Sequence, residues 1–452
     1  MWPFRTILYF VVFWVGCFAA LVNPIWGIVN YMMAYQMNPP ISWWGLPLVN
    51  IGMRFSMLAV GFTVLGMVTG RRRVPVIRPG LMLWEWGVIA LILIAILNIA
   101  IGIGYGPTAQ YAFEKFWKLQ VFVLILARLA TTRRNLRLVF WSLTAGSFYL
   151  GYDAYTAPYR SFLAGRLEAF GGPDIATSSG AGAHLTAMLP IIGIVFLTTK
   201  KWIWRIPVAV TGALTVNAIV LCRTRSAFIG VVAGLAAAVF MAPRARRFRI
   251  HCALVAGCLC AFALTDEYYW GRMGTLADRQ ALEKDGAAIA RVNILRAGLQ
   301  MLSDHPTGVG LGNFSRTIGQ YNPELRYRSS HNTVIMAFCE LGVLGGIIFL
   351  LIAAESIRLL IRCSRMAHLT DDPLETKLIA YGLLIAIVSY FVAGLGTERF
   401  SCESFWWTLA FPVCLSRLVE REVAVRAAAK EVESDPAYVA DLPRFRGLCH
   451  EM

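Results

Sequence analysis

One histidine and a handful of arginines stand in this sequence where an otherwise apolar chain has little use for charge. The sharpest element is His331-Asn332, followed after nine residues by Gly342 and after two more by Gly345. It lies where a polar stretch gives way to an apolar one, and an imidazole there can accept a proton near neutral pH. Gly342 and Gly346 give the following helix a small-residue face for close packing. Glu340 falls about half a turn away from His331 on a 3.6-residue helix, so the two are not expected to pair. The competing role for His331 is that of a helix cap.

Arg223-Thr-Arg225-Ser-Ala-Phe-Ile-Gly230 joins two apolar segments. Guanidinium groups beside the first amides of a helix form an anion site; the competing role is snorkelling to lipid headgroups. Arg291 opens a segment in which Leu295, Leu299 and Leu302 share one face, which predicts a helix lying on a membrane surface. Asp304-His305-Pro-Thr-Gly308-Val-Gly310-Leu-Gly312-Asn313 is glycine-rich, a composition that permits close approach to phosphates or sugars. In that turn His305 reads as structural. Arg166, shortly before Gly171-Gly172-Pro173-Asp174, is a further basic candidate.

These residues need a scaffold, and composition says which. The chain has 452 residues, 58% hydrophobic and 15% charged, with a formal charge of +16. That much apolar surface needs the bilayer as its solvent. The expected fold class is an all-α polytopic integral membrane protein of about twelve transmembrane helices, near 6–23, 46–69, 82–103, 110–131, 137–155, 182–199, 204–222, 226–242, 249–265, 332–357, 376–396 and 404–419. The first of these reads as a retained helix rather than a signal peptide. The positive charge sits in short runs between apolar segments and orients helices, so no nucleic-acid partner is expected.

Loops with Arg71, Arg72, Arg73 and Arg78, with Arg133, Arg134 and Arg137, with Lys200, Lys201 and Arg205, with Arg244 to Arg249, and with Arg358 to Arg365 alternate with loops nearly free of Lys and Arg. Segment 24–45 is one of the latter and reads as an outer loop. Arg223 and Arg225 break the alternation, which argues for function. This pattern predicts a bacterial inner-membrane protein with both termini cytoplasmic. The organisation expected is 1–265 for helices one to nine, 266–331 as a long periplasmic loop, 332–419 for helices ten to twelve, and 420–452 as a cytoplasmic tail. The cysteines, mostly single within apolar segments, read as small apolar residues and not as a metal or disulfide framework. No Walker loop, dinucleotide fingerprint, GxSxG elbow or HExxH is present.

Taken in order, the pieces between about 160 and 360 resemble the O-antigen ligase and polymerase superfamily of membrane glycosyltransferases. They are the Arg166 loop, TRSAFIG, ARVNILRAGLQMLSDHPTGVGLGNF, and His331-Asn332 with its two glycines. The resemblance implies a glycan donor on undecaprenyl diphosphate, transferred at the periplasmic face by an inverting, metal-independent enzyme without a cofactor. It assigns Arg225, Arg291 and His331 as catalytic. Arg223, Arg166, Asn332, Gly312 and Asn313 are then the substrate-binding candidates. Asp266-Glu267, the one acidic pair worth weighing as a metal site, reads as solvated. Expected partners are the lipid-linked donor, a lipid A-core or glycan acceptor, and membrane lipids. The His-Asn-x9-Gly-x2-Gly spacing favours a ligase; a polymerase and a protein O-oligosaccharyltransferase remain open. So does a transporter, although transporters place their charged sites near the midplane.

Overall fold

The computed structural model describes residues 3–69, 80–276, 278 and 286–434. Arg71 to Arg73 and Arg78 lie outside the described residues. The molecule is all-α apart from one tiny hairpin, as hydropathy predicts. The first half holds helices α1 (Phe4–Val22), α2 (Ile25–Met37), α3 (Leu46–Asn50), α4 (Phe55–Thr69), α5 (Leu83–Ile101), α6 (Pro107–Leu129) and α7 (Arg133–Tyr155). The second half holds α8 (Ser178–Thr198), α9 (Trp202–Cys222), α10 (Arg225–Met241), α11 (Arg247–Leu264), α12 (Glu267–Gly274), α13 (Gly286–Asp304), α14 (Phe314–Tyr321), α15 (Thr333–Met366), α16 (Pro373–Gly394) and α17 (Glu403–Ser434). Among the described residues seven helices are long and apolar enough to cross a membrane, and α4 and α10 are shorter apolar helices.

Burial sorts the helices into layers. The windows of α8 and α16 are 72% and 78% buried, while that of α11 is 6% buried. Along α17, Phe405, Trp406, Trp407 and Phe411 sink into the centre. The outer surface of α1 (Leu8, Val11, Val15, Phe18) and nearly all of α11 are exposed apolar side chains, as lipid-facing helices require.

Helix α2 corrects the expected topology. Segment 24–45 was expected as an outer loop, but Ile25–Met37 is a mostly buried helix against α1, α4 and α7. It returns the chain across the bundle, as a chain of contacts shows. Asn38 donates to the Gly171 carbonyl (2.9 Å), and the Trp44 indole to the Tyr149 hydroxyl (3.0 Å). Thr6 donates to the Trp44 carbonyl, and Arg5 stacks over Trp43. The start of α1 is therefore at the same end as loop 156–177, here termed the loop end. The lower part of α17 is at the far end, where Arg417 pairs with Glu85 (2.5 Å) and Arg133 with Glu422 (2.7 Å). The expectation that both termini share one face is thus corrected: an extra pass reverses the parity. At about 1.5 Å per residue this helix spans only ~20 Å, too short for a window sized to a full bilayer. Its polar residues are also buried inside the protein, with Asn30 donating to the Phe13 carbonyl.

Helix α15 is broken at Gly342 (φ 75, ψ −178), and the segment 306–310 inserts at the break. Val309 N–H donates to Cys339 O (2.9 Å), Gly310 N–H to Glu340 O (3.0 Å) and Val343 N–H to Pro306 O (2.9 Å). Gly342 and Gly346 were expected as a packing face between whole helices. Instead Gly342 supplies a backbone conformation closed to other residues, and a Cβ there would meet the Thr307 and Pro306 carbonyl groups.

Candidate active site

Five separate pieces of chain converge at the loop end. Arg166 stands on the hairpin β1 (Phe162–Leu163) and β2 (Arg166–Leu167), paired across from Leu163. Ala164 and Gly165 form its two-residue turn with φ 49 and 73, the left-handed pair such a tight turn needs. Arg225 is the first residue of α10, released by Arg223, whose left-handed backbone (φ 47) ends α9. Arg272 lies in α12, whose next residues close on Arg225: its Nη2 donates to the Thr275 hydroxyl (2.6 Å). Arg291 is carried by α13, which packs on α15 and α14 through Ile294, Ala297 and Met301. Leu295 and Leu299 on α13 are 43% and 53% exposed, so the leucine stripe expected to lie on the membrane is indeed turned outward.

His331 is the fifth piece. Its backbone is left-handed (φ 49), an uncommon and strained state for a side-chain-bearing residue. Neighbours on both sides hold it there. The Ser330 hydroxyl donates to the Asn332 carbonyl (2.9 Å), and Asn332 Oδ1 caps α15 by accepting from Val334 (2.9 Å) and Ile335 (3.1 Å). Thr333 donates to Gly394 O (2.9 Å) and accepts from Arg399 N–H (2.9 Å), tying the turn to loop 395–402. The cap is therefore Asn332, and the imidazole of His331 is left for other use.

Together they line a cavity of about 220 Å³: Arg166, Arg225, Arg272, Arg291, Arg328 and His331, with Thr224 and Ser226 on the α10 side. No Asp or Glu is among the described lining residues. Arg166 Nε and the buried hydroxyls of Thr224 and Ser226 find no hydrogen-bond partner among the described residues. Buried polar atoms without partners are costly, so their grouping here marks a place built for a polar ligand. Burial, followed by the charges of Arg291, Arg328 and Arg399, holds the His331 imidazole below its ordinary pKa. Lowering favours the neutral ring, the form that can take a proton. An oxyanion with an attached hydroxyl-bearing partner fits this chemistry: guanidinium groups grip the anion, and the imidazole faces it as a base.

Four expected binding residues are placed elsewhere. Arg223 turns away from the cavity, pairing with Asp266, donating to Gly165 O (2.6 Å) and stacking over Tyr268 (4.6 Å). Asn332 is consumed by capping, its Nδ2 donating to Leu395 O (3.2 Å). Gly312 N–H donates to buried Glu340 Oε1 (2.8 Å), and Asn313 Nδ2 donates to Gly104 O (2.8 Å) and Val309 O (2.9 Å). The glycine-rich turn thus docks on α5, α6 and the broken α15. Asp266 caps α12 through Tyr269 N–H (2.7 Å) besides holding Arg223. Arg272 and Arg328 were not anticipated. Both sat in a loop rich in charges of both signs, where nothing local separates a ligand-facing arginine from a solvated one; Arg328 lies three residues before His331.

Residues 210–350 match a family model described as O-antigen ligase. No curated protein matches the chain. The matched segment carries Arg225, Arg272, Arg291, Arg328, His331 and the Gly342 break, and over that segment the chain is similar to O-antigen ligases. The match supports a ligase-like function in general, and the seven long apolar helices among the described residues fit a multi-pass membrane protein.

Proposed function

We propose that the arginine cleft transfers a glycan from undecaprenyl diphosphate to an acceptor hydroxyl of a lipid A-core, at the periplasmic face of the bacterial inner membrane. The observation that carries the reading is one imidazole and five guanidinium groups lining a single cavity with orphaned hydroxyls. The arginine-poor loops of the sequence support the periplasmic placement.

In the proposed reaction Arg225 and Arg291 hold the diphosphate, flanked by Arg166, Arg272 and Arg328. The acceptor oxygen attacks the anomeric carbon as its proton passes to His331. The bond from that carbon to the phosphate oxygen breaks, and undecaprenyl diphosphate leaves with the electron pair. Attack and departure on opposite faces of the carbon invert it. The guanidinium groups stabilise the growing negative charge on the leaving group, the largest electrostatic demand of the step. The proton then leaves the imidazolium to solvent.

The test is in vitro transfer with a defined lipid-linked glycan offered to a lipid A-core and, separately, to a second lipid-linked repeat. Single addition to the core is expected. A ladder of lengthened lipid-linked product in place of core addition would replace the ligase with the polymerase. Arg225→Ala and Arg291→Ala, inserted at normal abundance, should both abolish transfer, and Arg→Lys should restore only part, because an ammonium lacks the bidentate grip. Unchanged transfer in either alanine variant would remove that arginine from the site.

A further inference from the structure

A second, larger cavity of about 560 Å³ lies at the far end of the bundle, between α7, α8, α9 and α16. Nothing in the transfer reaction uses it. Its floor is Phe140, Ile194, Val195 and Ile379, all buried against the protein yet facing the cavity. Its mouth is basic. Lys200 and Lys201 form the α8–α9 turn, are exposed, and take part in no ion pair among the described residues. Arg137 stands opposite, with Nε donating to Glu375 Oε1 (2.5 Å), and the same carboxylate also receives Arg133 (3.1 Å). Glu375 is thus already shared by two guanidinium groups and leaves the lysines uncompensated.

Aromatic side chains mark the rim. Trp141 and Trp204 meet edge to face at 6.4 Å. From Trp204 the surface runs on over Trp202, Ile203 and Ile206, all more than half exposed. The cavity therefore opens sideways onto an apolar, lipid-facing strip, with its charge at the helix ends where tryptophan and lysine mark the membrane–water boundary.

We propose that this groove binds an anionic glycerophospholipid. The phosphate is held by Lys200 and Lys201, and an acyl chain runs from the cavity along the exposed strip of Trp204, Ile203 and Ile206. A soluble anion would leave that apolar strip uncovered, and a zwitterionic lipid would bring its own cation to the lysines. Basic pockets between membrane helices at this level suit anionic headgroups, each lysine contributing about 5-fold in affinity.

The test is lipid retention by the full chain, purified in detergent and offered phosphatidylglycerol or phosphatidylcholine, read by native mass spectrometry. One phosphatidylglycerol is expected to persist at detergent concentrations that strip phosphatidylcholine. The double variant Lys200→Ala/Lys201→Ala should weaken its binding about 25-fold, while Lys200→Arg/Lys201→Arg retains it. Both positions are exposed, so neither change threatens folding, and the arginine pair controls for handling. Equal retention of phosphatidylcholine, an unaltered alanine variant, or displacement by millimolar inorganic phosphate alone would each overturn the proposal.

Discussion

Replacing Gly342 by alanine tests whether the spacing from His331 to the glycine is a folding device. At φ 75, ψ −178 the residue occupies a region essentially reserved for glycine, and forcing a side chain there costs about 1–3 kcal/mol. The new Cβ would also stand 2.6 Å from the Pro306 carbonyl oxygen, which must move. That oxygen accepts from Val343, and its shift strains the neighbouring bonds of Val309 to Cys339 and Gly310 to Glu340. At a net ~0.5–1.5 kcal/mol each, losing two of the three adds about 1–3 kcal/mol. The total is about 2–6 kcal/mol, applied where 306–310 joins α13, which carries Arg291, to α15, which follows His331. Gly193→Ala on α8 is the control, since a Cβ there meets nothing within 4 Å and alanine favours a helix. Unfolding of both variants in the same detergent, beside their transfer rates, gives the comparison. Gly342→Ala should be much the less stable and lose at least about ten-fold in transfer at permissive temperature, because a 1 Å displacement of catalytic groups can cost 10²-fold. Stability matching Gly193→Ala within about 0.5 kcal/mol, with normal transfer, would refute the reasoning.

Four further outcomes are expected. His331→Asn and His331→Ala should both lose about 10²–10⁴-fold in transfer while still binding donor, as removal of a general base requires; a near-normal Asn variant would defeat that role. Because burial and neighbouring guanidinium charges hold the His331 pKa down, the acid limb of kcat/KM should lie below that of an ordinary imidazole. Arg328→Ala removes one of the charges that depress it, so the limb should move to higher pH; a shift the other way would be inconsistent with the electrostatics. Reporters at the N-terminus and near Pro173 should label the same side of the membrane, and one after Lys201 the opposite side; labels on opposite sides for the first two would contradict the pass made by α2. Glu85→Ala should strand Arg417, 2% exposed at its side chain, and destabilise the protein by about 3–5 kcal/mol in detergent unfolding, whereas an effect below about 1 kcal/mol would show that the pair is not buried in the membrane protein as it exists.

What the sequence by itself determined is what local pattern and charge encode. Long apolar windows located α1, α5, α8, α9 and α16 to within four residues at each end, since hydrocarbon thickness sets their length. Arg225 and His331 stood out for a similar reason: each breaks a pattern, a charge in a charge-poor turn or a histidine at a polar–apolar boundary, whereas Arg291, inside a charge-rich loop, was picked out only by the resemblance. Only the tertiary structure could decide the rest. A thirteen-residue helix such as α2 is held by packing against α4 and α7, which no window can see. Arg272 and Arg328 line the cavity, and Arg223 and Asn313 do not, through where α12, α13 and the 306–310 insertion are packed. The glycines of the 308–312 turn carried no mark distinguishing a ligand cradle from a loop that fills a broken helix; both need the same left-handed backbone, and only the partner, here the carbonyls of Cys339 and Glu340, tells them apart.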